Sequence, residues 1–138
     1  FLLAPALNAV IGQRLVRRDH ENCKQLAKLD ADQTKKVKEI MGALSPESGE
    51  KRDLEQLKFW KGKGCAECGD SGYKGRVGIY EIFTMSPEIE KVILSGNVSE
   101  YQMQDIAAKQ GMITMAQDGL LKALDGMTTV EEVLAAAE

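Results

Sequence analysis

All three cysteines and the only histidine of this 138-residue chain fall in two short motifs, His20-Glu21-Asn22-Cys23 and Cys65-Ala66-Glu67-Cys68. Each motif sets two soft or borderline donors three positions apart, a spacing at which one tight turn aims both at a single ion. Together His20, Cys23, Cys65 and Cys68 supply the four-ligand set that tetrahedral zinc prefers. A fold that uses them as one site has to bring the motifs face to face, bending the long stretch between them back on itself.

Other readings of the motifs are weaker. Cys-x-x-Cys also serves thiol redox chemistry, which calls for a low-pKa thiolate at a helix N-terminus, whereas glycines crowd both sides of Cys65 and Cys68. Cys23 alone reads as a small buried hydrophobe, and its spacing from His20 is what makes it a ligand. His20 lies in the polar run Asp19-His20-Glu21-Asn22, where a lone histidine is commonly just solvated. It is assigned because no other histidine or cysteine is left to close the site, with Asp19 or water as the alternative fourth ligand. A closed site has no open position for substrate, so the zinc is expected to be structural. No nucleophile, base and orienter arrangement is visible, and no catalytic residue is assigned. Nucleotide-binding residues are not expected either: Gly-x-x-x-x-Gly-Lys-Ser/Thr is absent, and Ser48-Gly49-Glu50-Lys51 does not supply it.

The length allows one modest core, or two small units sharing a boundary. A net charge of -3 argues against a dedicated nucleic-acid binder, but the charge is uneven. Residues 1–85 hold 15 basic and 12 acidic side chains, and residues 86–138 hold 3 and 9. Three cysteines cannot complete a disulfide framework, which together with the lack of a signal peptide favours a reducing, cytosolic setting. No apolar run approaches the roughly 18 residues of a membrane span. The opening Phe1-Leu2-Leu3-Ala4-Pro5 is apolar and lacks an initiator methionine, as expected of a piece of a longer protein.

Periodicity places the elements. Residues 6–12 are small and apolar and lead into the alternating residues 13–18, which predicts a short helix running into a strand. Asp30 or Asp32 is expected to cap a helix whose stripe is Val37, Ile40, Met41 and Leu44, ended by Ser45-Pro46. Residues 47–52 read as a loop, and Phe59 and Trp60 as the miniature core of the metal site. Five glycines in residues 62–75 suit a knuckle whose backbone takes positive φ. Residues 76–84 are rich in β-branched and aromatic side chains and predict a strand. Four short helices follow: Ser86-Pro87 opens the first and Gly96 closes it, Ser99-x-x-Gln102 and Gly111 bound the second, Thr114-x-x-Gln117 and Gly126 the third, and Thr129-x-x-Glu132 opens the fourth. Met103, Ile106 and Ala107, and Leu120, Leu121 and Leu124, are expected to face a shared interior.

Lys58, Lys61, Lys63, Lys74 and Arg76 surround the knuckle with Trp60 and Tyr73 interleaved, the pattern of a nucleic-acid surface. A solvated rim explains the same residues, and a stand-alone zinc-knuckle nucleic-acid module is kept as the alternative function.

Several segments in order resemble the C-terminal part of the GspE/PilB-type ATPases that power type II secretion and type IV pili. They are residues 6–18, Gly62-Lys63-Gly64-Cys65-x-x-Cys68, Gly72-Tyr73-Lys74-Gly75-Arg76-Val77-Gly78-Ile79-Tyr80-Glu81, Gln110-Gly111-Met112, and Asp118-Gly119-Leu120 through residues 128–134. The resemblance implies an α/β fragment: the end of a RecA-like core at residues 1–18, a zinc-binding insert at 19–75, a neighbouring core strand at 76–85 and a helical C-terminal subdomain at 86–138. The family's zinc module usually carries four cysteines, so His20 stands where its first cysteine would be. The resemblance also implies that ATP and Mg2+ belong to the full-length parent alone, whose phosphate-binding loop and catalytic motifs lie upstream, and that the parent is a cytoplasmic homo-hexamer. That parent would sit at the inner membrane through a platform protein of the pilus or secretion machine. This part would have a structural and coupling role, with no direct nucleic-acid contact and no transmembrane segment.

Overall fold

A computed structural model describes residues 9–50, 53–96 and 100–137. The element order is β1 (Ala9–Asp19), β2 (Lys24–Leu26), α1 (Ala31–Gly42), β3 (Trp60–Gly62), β4 (Tyr73–Thr84), α2 (Pro87–Leu94), α3 (Glu100–Lys109), α4 (Met115–Leu124) and α5 (Val130–Ala137). Single 3-10 turns at Pro46–Ser48 and Ala66–Cys68 complete it. β1 and β4 form a long antiparallel ribbon, with Ala9 opposite Thr84 and Arg17 opposite Arg76; the register then slips so that Asp19 meets Tyr73. β2 and β3 form a second, three-residue ribbon pairing Lys24 with Gly62 and Leu26 with Trp60. The helix expected over residues 6–12 is not formed in its described part. Residues 9–12 are strand, because residues 81–84 lie opposite and offer extended backbone to pair with; residues 6–8 lie outside the described residues.

The helix boundaries follow their capping chemistry. Asp30, rather than Asp32, caps α1: its carboxylate accepts from the Gln33 amide at 2.8 Å while the Gln33 side chain accepts from the Asp30 amide. α1 stops at Gly42, and Ser45-Pro46 instead opens the 3-10 turn, with the Ser45 hydroxyl accepting from the Glu47 amide. Ser86 caps α2 with Pro87 at its first position, Thr114 and Gln117 form a reciprocal box on α4, and Thr129 Oγ1 accepts from the Glu132 amide at the head of α5. The Ser99 cap of α3 lies outside the described residues.

Two ribbon faces have different fates. Val16 and Ile79 point to one side and are buried where α4 packs on β4 and α5 on β1. The other side carries Ile11, Ile82 and Leu15, which remain 63%, 52% and 55% exposed. The main core joins Val37 and Met41 of α1 and Phe59 with Leu120, Leu121 and Ala123 of α4 and Val130 and Val133 of α5. Ile40, Leu44 and Leu124 pack against it. Phe59 therefore fills the main core and not a miniature one beside the metal motifs, because the stripe of α1 needs a large apolar partner on the same side. Ala107 of α3 is buried, while Met103 and Ile106 are half-buried and outside that cluster, so the shared interior is made by α4 and α5 with α1.

Candidate metal centre

His20 leaves the end of β1 with its amide donating to Gly72 O at 3.0 Å, which fixes it beside the later knuckle. The chain turns at once, the Cys23 amide donating to His20 O at 3.2 Å, so both side chains of the first motif point the same way. The β2–β3 ribbon then brings the second motif alongside, and the Lys63 amide donates to Cys23 O at 2.9 Å. Beyond it the 3-10 turn Ala66–Cys68 is closed by Asp70 donating to Cys65 O at 2.8 Å. The backbone here is too close for side chains: a Cβ on Gly62 would lie 2.1 Å from Gly72 O, and Gly72 has φ +81°.

The result brings all four predicted ligands together. A ring nitrogen of His20 and Sγ of Cys23, Cys65 and Cys68 lie within 4.8 Å of one another. Cys65 and Cys68 sulfurs are 3.6 Å apart, Cys23 and Cys68 sulfurs 3.9 Å, and His20 Nδ1 is 3.3 Å from Cys65 Sγ. Tetrahedral bonds to zinc of about 2.3 Å for sulfur and about 2.0 Å for nitrogen give edges of about 3.8 Å between sulfurs and about 3.5 Å from sulfur to nitrogen. These three separations sit within a few tenths of an ångström of those edges. All three thiols are free, at separations well beyond the roughly 2.05 Å of a disulfide.

Cys68 and Cys23 are shifted in opposite directions. Burial raises the Cys68 thiol, but the Cys65 and Gly72 amides, at 3.3 Å each, and the neighbouring Cys65 and Cys23 thiols outweigh it and bring it down to about 6. Burial keeps Cys23 raised, with the Gly64 amide opposing. His20 is buried, and its second ring nitrogen Nε2 faces Glu67 Oε2 at 3.5 Å, an oxygen that also accepts from Asn22 Nδ2 at 3.1 Å. Nothing in the composition or spacing of the motifs singles out Glu67; its contact is made only when the two motifs meet.

Asp19, the alternative ligand, is buried but lies outside the cluster, and neither of its oxygens has a hydrogen-bond partner among the described residues. Its burial pushes the carboxyl up to about 6, with Lys24 pulling the other way. Lys58, Lys61, Lys63, Lys74 and Arg76 are exposed, as a solvated rim would be. The interleaved aromatics are already engaged: the Tyr73 ring lies under the Arg17 guanidinium at 4.0 Å and its hydroxyl pairs with Thr129, while Trp60 lies under Lys24.

The fold and site define a small α/β unit in which an antiparallel ribbon, backed by short capped helices, ends in a His/Cys cluster able to hold a metal ion. The family model described as type II/IV secretion system protein matches residues 1–135, and the chain belongs to that family. A type IV pilus assembly ATPase PilB of Thermus thermophilus is 40% identical over 98% of this chain and 14% of its own length. A PilB of Myxococcus xanthus is 31% identical over 97% of this chain and 22% of its own. The type II secretion system protein E of Klebsiella pneumoniae is 33% identical over 100% of this chain and 24% of its own. The chain thus spans less than a quarter of the length of these relatives. No described helix is long and apolar enough to cross a membrane.

Proposed function

We propose that this chain is the zinc-stabilised C-terminal region of a hexameric ATPase that drives type IV pilus assembly or type II protein secretion. The observation that carries the reading is the set of four donor atoms, in a chain of this family, gathered within 4.8 Å of one another with three of their separations close to the edges of a zinc tetrahedron. His20, Cys23, Cys65 and Cys68 would hold the ion. A bound zinc supplies charge neutralisation for three thiolates and a covalent-strength clasp between the two motifs, with no position left for substrate. The chain's own residues do the rest: the Cys65 and Gly72 amides turn toward sulfur, and the β2–β3 ribbon holds the two motifs in register.

In this reading residues 1–18 and 76–85 belong to the parent's RecA-like core, 19–75 form the zinc-binding insert and 86–138 the helical subdomain. The ribbon's exposed apolar side supports it, since Ile11, Leu15 and Ile82 form a face that a larger sheet or its covering helices would bury. ATP and Mg2+ would bind elsewhere in the parent, a cytoplasmic homo-hexamer placed at the inner membrane by a platform protein. This region would pass force rather than perform chemistry. Zinc should contribute on the order of 10 kcal/mol to folding, lost on chelation.

Elemental analysis of protein purified without chelator should give one zinc per chain, and a metal-free preparation would sink the zinc reading. In the full-length parent, Cys65→Ser should impair pilus assembly or secretion while nucleotide binding persists; loss of nucleotide binding alone is the contrary result.

A further inference from the structure

Glu67 belongs to the second motif yet reaches into the first. Its Oε2 lies 3.5 Å from His20 Nε2 and accepts from Asn22 Nδ2 at 3.1 Å. His20 itself is only 4% exposed and presents its other nitrogen, Nδ1, to Cys65 Sγ at 3.3 Å. A neutral imidazole that offers the Nδ1 lone pair to an ion carries its proton on Nε2. That buried N–H needs an acceptor, because leaving it unpaired costs the desolvation of the group. The carboxylate facing it is that of Glu67.

We propose that Glu67 is the positioning residue of the metal centre, holding His20 in the Nδ1-donor tautomer and orientation. The inference rests on the zinc reading and adds to it the reason a histidine works at this position. A carboxylate behind an imidazole ligand fixes the ring and raises its basicity, the usual role of a partner one step removed from the metal. Such a partner is useful only to a ring. A cysteine at position 20 has no second polar end to hold, so Glu67 would have nothing to orient there. The Asn22 contact keeps the carboxylate aimed across the gap although the Glu67 side chain is 60% exposed. The two motifs are thereby joined by a polar bridge as well as by their shared ligands.

Zinc affinity of the 138-residue chain, read by competition with a chromophoric chelator at neutral pH, tests this. Glu67→Ala should weaken binding by about 10-fold or more, the lower end of the range for lost partners of ligating residues. Glu67→Gln, whose amide oxygen can still face Nε2, should lose less. In a His20→Cys background, Glu67→Ala should leave affinity nearly unchanged. Nitrogen NMR of zinc-loaded wild type should find Nδ1 metal-bound and Nε2 protonated. Equal affinity of wild type and Glu67→Ala, an equal loss in both backgrounds, or a ring protonated at Nδ1 would each overturn the proposal while leaving the zinc reading intact. Wild-type chain that takes up no zinc would instead remove the zinc reading, and this inference with it.

Discussion

Arg17 ties the ribbon to the last helix. Its guanidinium meets Glu132 at 2.7 and 2.8 Å, its amide donates to the same carboxylate at 3.0 Å, and its plane covers Tyr73. Burial pushes the Glu132 carboxyl up, but the side-chain and backbone hydrogen bonds from Arg17 outweigh that and hold it below its ordinary 4.5. A depressed carboxylate stabilises the fold above its unfolded pKa, and that stability disappears as pH falls through the lower folded value. Because the Arg17 side chain is 58% exposed, solvent screens the pair and Glu132→Gln should cost about 1 kcal/mol at neutral pH. Urea unfolding of wild type and variant should show this gap closing as the pH drops below 4.5; a gap that persists undiminished into strong acid would refute the assignment. The four residues of the His/Cys cluster were legible at this scale because histidine and cysteine are scarce here and their spacing has chemical meaning. Glu67 and Glu132 were not, since a glutamate's partner across 45 or 115 residues is fixed only by the folded backbone.

Helix ends were readable for a similar reason: Asp30, Ser86, Thr114 and Thr129 satisfy backbone donors within one turn, so their effect is local. The β2–β3 ribbon was invisible, because three-residue strands have no period to detect; it lies between the two His/Cys motifs. Contacts between helices are likewise hidden in sequence, and Gly119 is the clearest case. It sits within α4, where a glycine costs about 1 kcal/mol relative to alanine in propensity. A Cβ there would lie 2.6 Å from Val133 Cγ1, and Val133 is fully buried and cannot swing aside. The close approach of α4 and α5 thus decides the residue. Gly119→Ala should destabilise the chain by about 1–2 kcal/mol net, overpacking outweighing the helix gain. Adding Val133→Ala to Gly119→Ala should cost less than Val133→Ala costs the wild type, measured by denaturant unfolding. A neutral or stabilising Gly119→Ala would mean that α5 is free to move away.

Among the described residues the main core is shared by α1 and Phe59 on one side and α4 and α5 on the other. The stripe of α1 announced that one face would be buried, but periodicity is silent about what covers it. In the structure that cover is α4 and α5, Met115–Leu124 and Val130–Ala137 against Ala31–Gly42 of α1, a separation along the chain at which only the folded topology can pair them. Phe59 stands at this junction, 4% exposed among α1, α4 and α5. Its neighbour Trp60 is the only tryptophan, so fluorescence reports on the half that holds the His/Cys cluster while far-UV circular dichroism is dominated by the helices. Phe59→Ala should cost about 3 kcal/mol or more through lost burial and the cavity left behind. Because the core is shared, the two probes should shift together along the denaturant axis, in wild type and variant alike, as one cooperative transition. A Trp60 transition that runs ahead of the helical signal would show instead that residues 19–75 fold as a unit apart from residues 86–138, and that α1 merely rests on α4 and α5.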